Sequence, residues 1–155
     1  MRNMSIALLI ALSLSTPPGR LYASGQNSQV TPGPKGGRLL KMASQDTPYI
    51  ELFVNQSGKV ELTLLDTESQ PITPHEQIVE ITIGSRLNSR RVAVVKTGND
   101  FVTTEKLTTS QPFQLTIQLK ESPQDSPKTV RITIDSRTCG GCEQPEYVCK
   151  CHHTH

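Results

Sequence analysis

The sequence predicts an all-β protein, an antiparallel two-layer immunoglobulin-like sandwich followed by a short irregular tail rich in cysteine and histidine. Three observations support this. About seven short runs alternate apolar and polar residues, which is the period of a half-buried strand. Turn-forming residues separate most of the runs, and no stretch has convincing helical periodicity. A small open barrel is the alternative arrangement of the same strands.

The N-terminus has the composition of a secretory signal peptide over residues 1–25. Arg2 supplies a positive charge, and residues 5–16 form an apolar run shorter than the roughly 20 residues of a membrane-spanning helix. Small residues predict cleavage after Gly25 or, nearly as well, after Ala23. We therefore expect a periplasmic or secreted protein, without a membrane span after cleavage, where thiols can oxidise. An uncleaved amphitropic N-terminus is the alternative.

The rest of the chain divides into three segments by composition. Residues 26–37 are rich in Pro, Gly, Ser and Gln without an apolar period, which predicts a flexible leader. Residues 38–136 carry the alternating runs and form the predicted sandwich domain. Residues 137–155 form the predicted metal-binding tail.

The predicted strands follow one another with short turns. The first two form a hairpin, and Val60, Leu62 and Leu64 share the face expected to be buried. Residues Gly98, Asn99 and Asp100 form the turn expected to join the fourth and fifth strands. The predicted strands are 49–54, 59–65, 78–83, 91–96, 101–104, 113–119 and 129–134.

Composition argues against several classes of function. Two of the 16 basic residues, Arg2 and Arg20, lie in the predicted signal peptide, so 14 basic and 14 acidic residues balance in the mature chain. With aromatic residues at only 4%, this neutral chain lacks the basic field and stacking rings of a nucleic-acid binder. The sequence also carries no recognisable catalytic motif, so we expect a protein that is not an enzyme.

The tail carries the chemistry. Its last seventeen residues, 139–155, contain all four cysteines and three of the four histidines. Thiolates and neutral imidazoles are ligands of soft and borderline ions such as Cu(I) and Zn(II). Gly140 and Gly141 remove the steric cost of bending the backbone between the first two cysteines. The predicted metal ligands are Cys139, Cys142, Cys149 and Cys151, with His152, His153 and His155 as auxiliary or exchanging ligands.

Other interpretations of these residues remain open. An even number of cysteines in an exported chain also fits structural disulfides. Disulfides between cysteines this close in sequence would close small loops, however, and would add little stability. Cys139 and Cys142 fit a redox dithiol, but no helix is visible that would lower a thiol pKa. Iron–sulfur ligation fits the number of cysteines but not the compartment. His75 lies in a proline-flanked loop and is expected to be a solvated residue.

Several motifs resemble those of a family of small exported bacterial proteins of unassigned function. The motifs are GPKGGRLL at 33–40, IELFV at 50–54 with Lys59 and Val60, CGGC at 139–142, and EYVCKC at 146–151. The resemblance implies a periplasmic protein associated with heavy-metal efflux or handling, with the cysteines as ligands. The family's leader is typically histidine-rich. Residues 26–37 contain no histidine here, so the resemblance implies no second, N-terminal metal site.

The main hypothesis is a periplasmic protein that sequesters or delivers Cu(I) or Zn(II), with a heavy-metal efflux component as a partner. Flexible ligands at an exposed chain end would capture an ion and pass it on by stepwise exchange. Binding displaces protons from thiols, so affinity should fall at acid pH. The alternatives are a structural or interaction sandwich whose tail is closed by disulfides, and a thiol oxidoreductase that depends on Cys139.

Overall fold

The computed structural model describes residues 30–42, 49–85, 87–107 and 110–151. The predicted signal peptide and the three C-terminal histidines therefore lie outside the described residues. Across the described ranges, no helix is long and apolar enough to cross a bilayer. The strands are β1 (Arg38–Lys41), β2 (Tyr49–Val54), β3 (Val60–Leu65), β4 (Ile78–Gly84), β5 (Ser89–Val92), β6 (Val94–Thr97), β7 (Asp100–Thr103), β8 (Phe113–Lys120) and β9 (Lys128–Ile134).

The strands form two antiparallel sheets. One sheet has the order β1-β2-β3-β7-β6, and the other has the order β5-β4-β8-β9. Neighbouring strands in both sheets pair in the antiparallel sense. The prediction of a nearly all-β fold with antiparallel sheets is confirmed, whereas its immunoglobulin-like class stays a prediction.

Among the described residues, one hydrophobic core takes side chains from both sheets. The face predicted to be buried is buried in both β3 and β8, but β3 also buries Thr63 and Leu65 on its other face. The predicted alternation is therefore confirmed for β8 and only in part for β3. Each large aliphatic side chain removed from water contributes about 1.5–3 kcal/mol relative to an exposed one. The residues concerned are Val60, Leu62 and Leu64 in β3 and Leu115, Ile117 and Leu119 in β8.

The prediction of one strand over 91–96 is wrong, because the chain changes sheets within this run. It divides at Ala93 into the end of β5, which pairs with β4, and β6, which pairs with β7. The Ala93 carbonyl accepts a hydrogen bond from the Thr104 N–H at 2.9 Å. Apolar residues continue without interruption through Ala93, so periodicity alone does not reveal the change of sheet.

The turn at Gly98 is confirmed. Thr97 lies opposite Asp100, so Gly98 and Asn99 form a two-residue hairpin loop between β6 and β7. Gly98 has a φ of 61°, in the left-handed region that such loops require and that glycine enters without a steric penalty. β1 is an additional strand that the sequence did not predict, and it pairs with β2 at the edge of the larger sheet.

The second half of the segment predicted as a flexible leader makes defined contacts with the larger sheet. We call residues 31–37 the N-terminal arch. The backbone N–H groups of Lys35 and Gly37 donate to Glu51 Oε1 at 2.8 and 2.9 Å. The Lys35 ammonium binds the Asp100 carboxylate at 2.7 Å. These contacts attach the arch to strands β2 and β7.

Two glycines allow this close approach. A Cβ at Gly33 would lie 2.3 Å from Glu51 Cδ, and a Cβ at Gly37 would lie 2.3 Å from the Leu52 carbonyl oxygen. Contacts this short would push the backbone off the sheet. The GPKGG motif is therefore explained by the approach of the N-terminal arch to β2. Glu51 itself is buried beneath the arch, with 1% of its surface exposed.

Candidate metal centre

After β9 the chain forms a tight loop from Cys139 to Gln144 that contains the first cysteine pair. The Cys139 N–H donates to the Gln144 carbonyl at 2.8 Å, and the Glu143 N–H donates to the Cys139 carbonyl at 3.1 Å. Glu143 has a φ of 59°, an uncommon left-handed conformation for a residue other than glycine. The backbone therefore turns sharply between Cys139 and Gln144, which brings Cys142 back toward Cys139.

Tyr147 anchors the second cysteine pair. It lies in the 3-10 turn Glu146–Val148, and its ring is part of the hydrophobic core, with 4% of the residue exposed. The Tyr147 N–H donates to the Asp135 carbonyl at 3.0 Å, just after β9. The Arg38 guanidinium donates to the Tyr147 carbonyl at 3.5 Å. The chain on either side of Tyr147 is therefore held against the sandwich.

The four cysteine sulfurs converge on one point. One Sγ atom from each of Cys139, Cys142, Cys149 and Cys151 lies within 4.8 Å of the other three. Cys149 is in the middle, with its Sγ 3.1 Å from that of Cys139 and 3.4 Å from that of Cys142. All four side chains are thiols. In a tetrahedral zinc site with Zn–S bonds of about 2.3 Å, the sulfurs would be about 3.8 Å apart, close to this arrangement.

Backbone N–H groups point at two of the sulfurs. The Gly141 N–H donates to Cys139 Sγ at 3.3 Å, and the Cys151 N–H donates to Cys149 Sγ at 3.2 Å. In each case the donor lies two residues after the cysteine that accepts. Such bonds stabilise negative charge on sulfur and orient it, which is how surrounding groups support metal ligands.

The cluster has a buried side and a half-buried side. Cys139 and Cys149 are 1% and 7% exposed, whereas Cys142 and Cys151 have intermediate exposure. The expectation of flexible, exposed ligands therefore does not hold for Cys139 and Cys149. An ion bound here would be shielded from water on one side and reachable from the other.

Hydrogen bonds among the sulfurs make one thiol more acidic than the others. The Cys149 thiol and the Gly141 N–H both donate to Cys139 and lower its pKa to about 6. The same bond to Cys139 raises the pKa of Cys149, and the interaction with Cys142 raises the pKa of Cys151. One thiolate forms readily, and the loss of further protons is favoured when a cation neutralises the added charge.

The two glycines of the CGGC loop have different roles. A Cβ at Gly141 would lie 3.3 Å from Cys151 Sγ and 3.8 Å from Cys139 Sγ, whereas a Cβ at Gly140 would meet nothing within 4 Å. Only Gly141 therefore needs to lack a side chain for the sulfurs to approach one another.

The structure brings together the four predicted cysteine ligands, but the predicted auxiliary ligands His152, His153 and His155 lie outside the described residues. His75 is exposed, and its N–H donates to Gln77 Oε1 at 2.7 Å, as fits a solvated loop residue. Sequence reasoning missed Tyr147 as the anchor of the site. The EYVCKC motif contains this tyrosine, and the one Phe, Trp or Tyr of the mostly polar tail, residues 137–155, is the signal that could have indicated it.

No family model, curated protein or solved structure matches this chain. The resemblance to exported bacterial proteins of heavy-metal handling stays a prediction that rests on the motifs alone.

Proposed function

We propose that the chain is an exported, non-catalytic protein that binds one transition-metal ion through its four cysteines. The convergence of their Sγ atoms within 4.8 Å of one another is the observation that carries this proposal. Two further features support it: N–H groups directed at Cys139 and Cys149, and a sulfur spacing close to that of a tetrathiolate site.

Zn(II) is the ion that we propose first, because tetrahedral coordination by four sulfurs is typical of zinc. Cu(I) is the second candidate, because thiolates are soft ligands that select it. His152, His153 and His155 follow Cys151 directly in the sequence and are proposed as auxiliary ligands. The predicted signal peptide and the motif resemblance support a periplasmic or secreted role in sequestering or delivering the ion, with a heavy-metal efflux component as partner.

A tail closed by disulfides is the alternative, and the 3.1 Å separation of the Cys139 and Cys149 sulfurs favours it. Counting thiols on protein taken directly from its native compartment separates the two functions. Full oxidation, with no ion uptake after reduction, would support the structural role and exclude the metal-binding one. A thiol oxidoreductase would instead reduce insulin and lose that activity in Cys139→Ser.

Titration of the reduced mature chain, residues 26–155, tests the proposal directly. We expect one Zn(II) or Cd(II) per chain, with an ultraviolet thiolate-to-metal band for Cd(II), and neither in a variant with all four cysteines changed to serine. His75→Ala is the matched control and should bind normally. Truncation at Arg137 is unsuitable as a test because it would also remove Tyr147 from the core. Equal stoichiometry in the wild type and the four-serine variant would end the proposal.

A further inference from the structure

A pocket with a volume of about 270 Å³ lies beside the half-buried side of the sulfur cluster. It is formed where the N-terminal arch meets the C-terminal tail. Since a water molecule takes up about 30 Å³ in the liquid, the pocket has room for a small organic molecule. Its lining residues are Pro32, Gly36, Cys142, Gln144, Val148 and Lys150.

The pocket gives access to one particular ligand. Cys142 lines it and has intermediate exposure, whereas Cys139 and Cys149 are buried. A molecule in the pocket therefore meets the cluster at the Cys142 sulfur first. Cys151 has similar exposure but does not line the pocket. Ligand exchange at a closed four-coordinate ion must begin with a ligand that a competitor can reach, so for a competitor in this pocket exchange starts at Cys142.

The charge of the lining favours a negatively charged occupant. Among the described residues that form the pocket, Lys150 carries the charge, and it is exposed. Its neighbours Pro32 and Val148 are apolar, and Gln144 is neutral. An occupant with a negative group near Lys150 and a donor atom near Cys142 would complement both features.

We propose that this pocket receives a small anionic thiol, a molecule with a sulfhydryl and a carboxylate, which removes the metal ion from the cluster. This inference rests on the proposed function. In the exchange step the incoming thiol forms a metal–sulfur bond as the bond to Cys142 breaks. The proton released by the incoming thiol is taken up by the Cys142 thiolate. The metal keeps its oxidation state, and no electrons are transferred.

The test compares metal removal from the Cd(II)-loaded mature protein by mercaptosuccinate, which is anionic, and by 2-mercaptoethanol, which is neutral. The rate is the loss of Cd(II) from the protein, measured by elemental analysis of the protein fraction after rapid gel filtration at successive times and expressed per concentration of thiolate. At low salt, removal by the anionic thiol should be about two- to fivefold slower in Lys150→Glu than in the wild type, the range expected for one exposed charge pair. Removal by the neutral thiol should be unchanged.

Gln144→Glu places a negative charge on another wall of the pocket and should slow the anionic thiol in the same way. Its side chain is free to change because the Cys139 N–H binds the Gln144 backbone carbonyl. Lys106→Glu is the matched control, since Lys106 is exposed and does not line the pocket. High salt should abolish the differences.

The experiment distinguishes failure of the proposed function from failure of the pocket inference. Absence of bound Cd(II) in the wild type would overturn the proposed function. One bound Cd(II) per chain, with removal by mercaptosuccinate equally fast in the wild type, Lys150→Glu and Gln144→Glu, would overturn the pocket inference alone.

Discussion

The Tyr147 hydroxyl accepts a hydrogen bond from the Val54 N–H at 3.0 Å, although the two residues lie 93 positions apart. Val54 ends β2, in the sheet opposite the one that contains β9, so this bond connects the tail to the far layer of the sandwich. Burial raises the pKa of Tyr147, which keeps its hydroxyl neutral at ordinary pH. The cysteine cluster is therefore fixed to both sheets.

Tyr147→Phe should destabilise the fold by about 1 kcal/mol, because the Val54 N–H loses its partner in a partly buried position. Urea unfolding of the metal-free, reduced protein measures the change in the free energy of unfolding. Tyr49→Phe, which removes a hydroxyl group from β2, is the control and should have a smaller effect. Equal losses in both variants would contradict the anchoring role of Tyr147.

Metal binding should raise thermal stability, because the four sulfurs are brought together only in the folded chain. With free Zn(II) at 100 times its Kd, the gain would be about 2.7 kcal/mol. Differential scanning calorimetry with and without a chelator measures it. The four-serine variant should give the same melting temperature under both conditions, and a wild-type protein that binds one ion without any shift would contradict the expectation.

Gly141→Ala should weaken metal binding, since the new methyl group would force Cys151 Sγ to move by a few tenths of an ångström. We expect the affinity for Zn(II) to fall about fivefold or more. Gly140→Ala makes the same chemical change in open space and should bind like the wild type. Competition with a chromophoric chelator measures both, and equal affinities would show that the sulfurs are arranged differently.

Acidification should remove a small stabilising contribution from the ion pair that precedes the cluster. The Arg137 guanidinium donates to Asp135 and lowers the pKa of that carboxyl. This contribution is present above the unfolded-state pKa of about 3.9 and is lost as the pH falls through the lower folded-state pKa. Because Arg137 is largely exposed, solvent screens the pair and the effect should be small.

The measurement for this pair is the free energy of unfolding between pH 6 and pH 2. Arg137→Gln should lose less stability on acidification than the wild type does. Arg131→Gln, which removes an exposed arginine from β9, should follow the wild-type profile. Superimposable profiles for all three proteins would contradict a role for the ion pair.

Sequence reasoning predicted the features that depend on local sequence pattern. Alternation in β8 identified its buried face, and the short spacing between Cys139 and Cys142 and between Cys149 and Cys151 identified the cysteine pairs that come together. It missed β1, whose four residues are too short to alternate clearly. It also missed the break at Ala93, because sheet membership is decided by partners distant in sequence.

The features that position the site were harder to predict for the same reason. Tyr147 is held by Val54 and Asp135, and neither contact leaves a periodic signal. Glu51 looks like an ordinary outward-facing strand residue, and only the N-terminal arch makes it a buried one. Glycine spacing in GPKGG indicates a turn but not the surface against which the turn lies.

The meeting of the arch with the tail has a practical consequence for handling the protein. Pro32 and Gly36 lie near the N-terminal end of the described chain. They line the same pocket as Val148 and Lys150, which lie near its C-terminal end. A polyhistidine affinity tag at either terminus would add imidazoles that compete with the cysteines for metal ions and would raise the apparent metal content. Purification by a removable, histidine-free handle keeps the chain's own ligands as the only competitors for the ion.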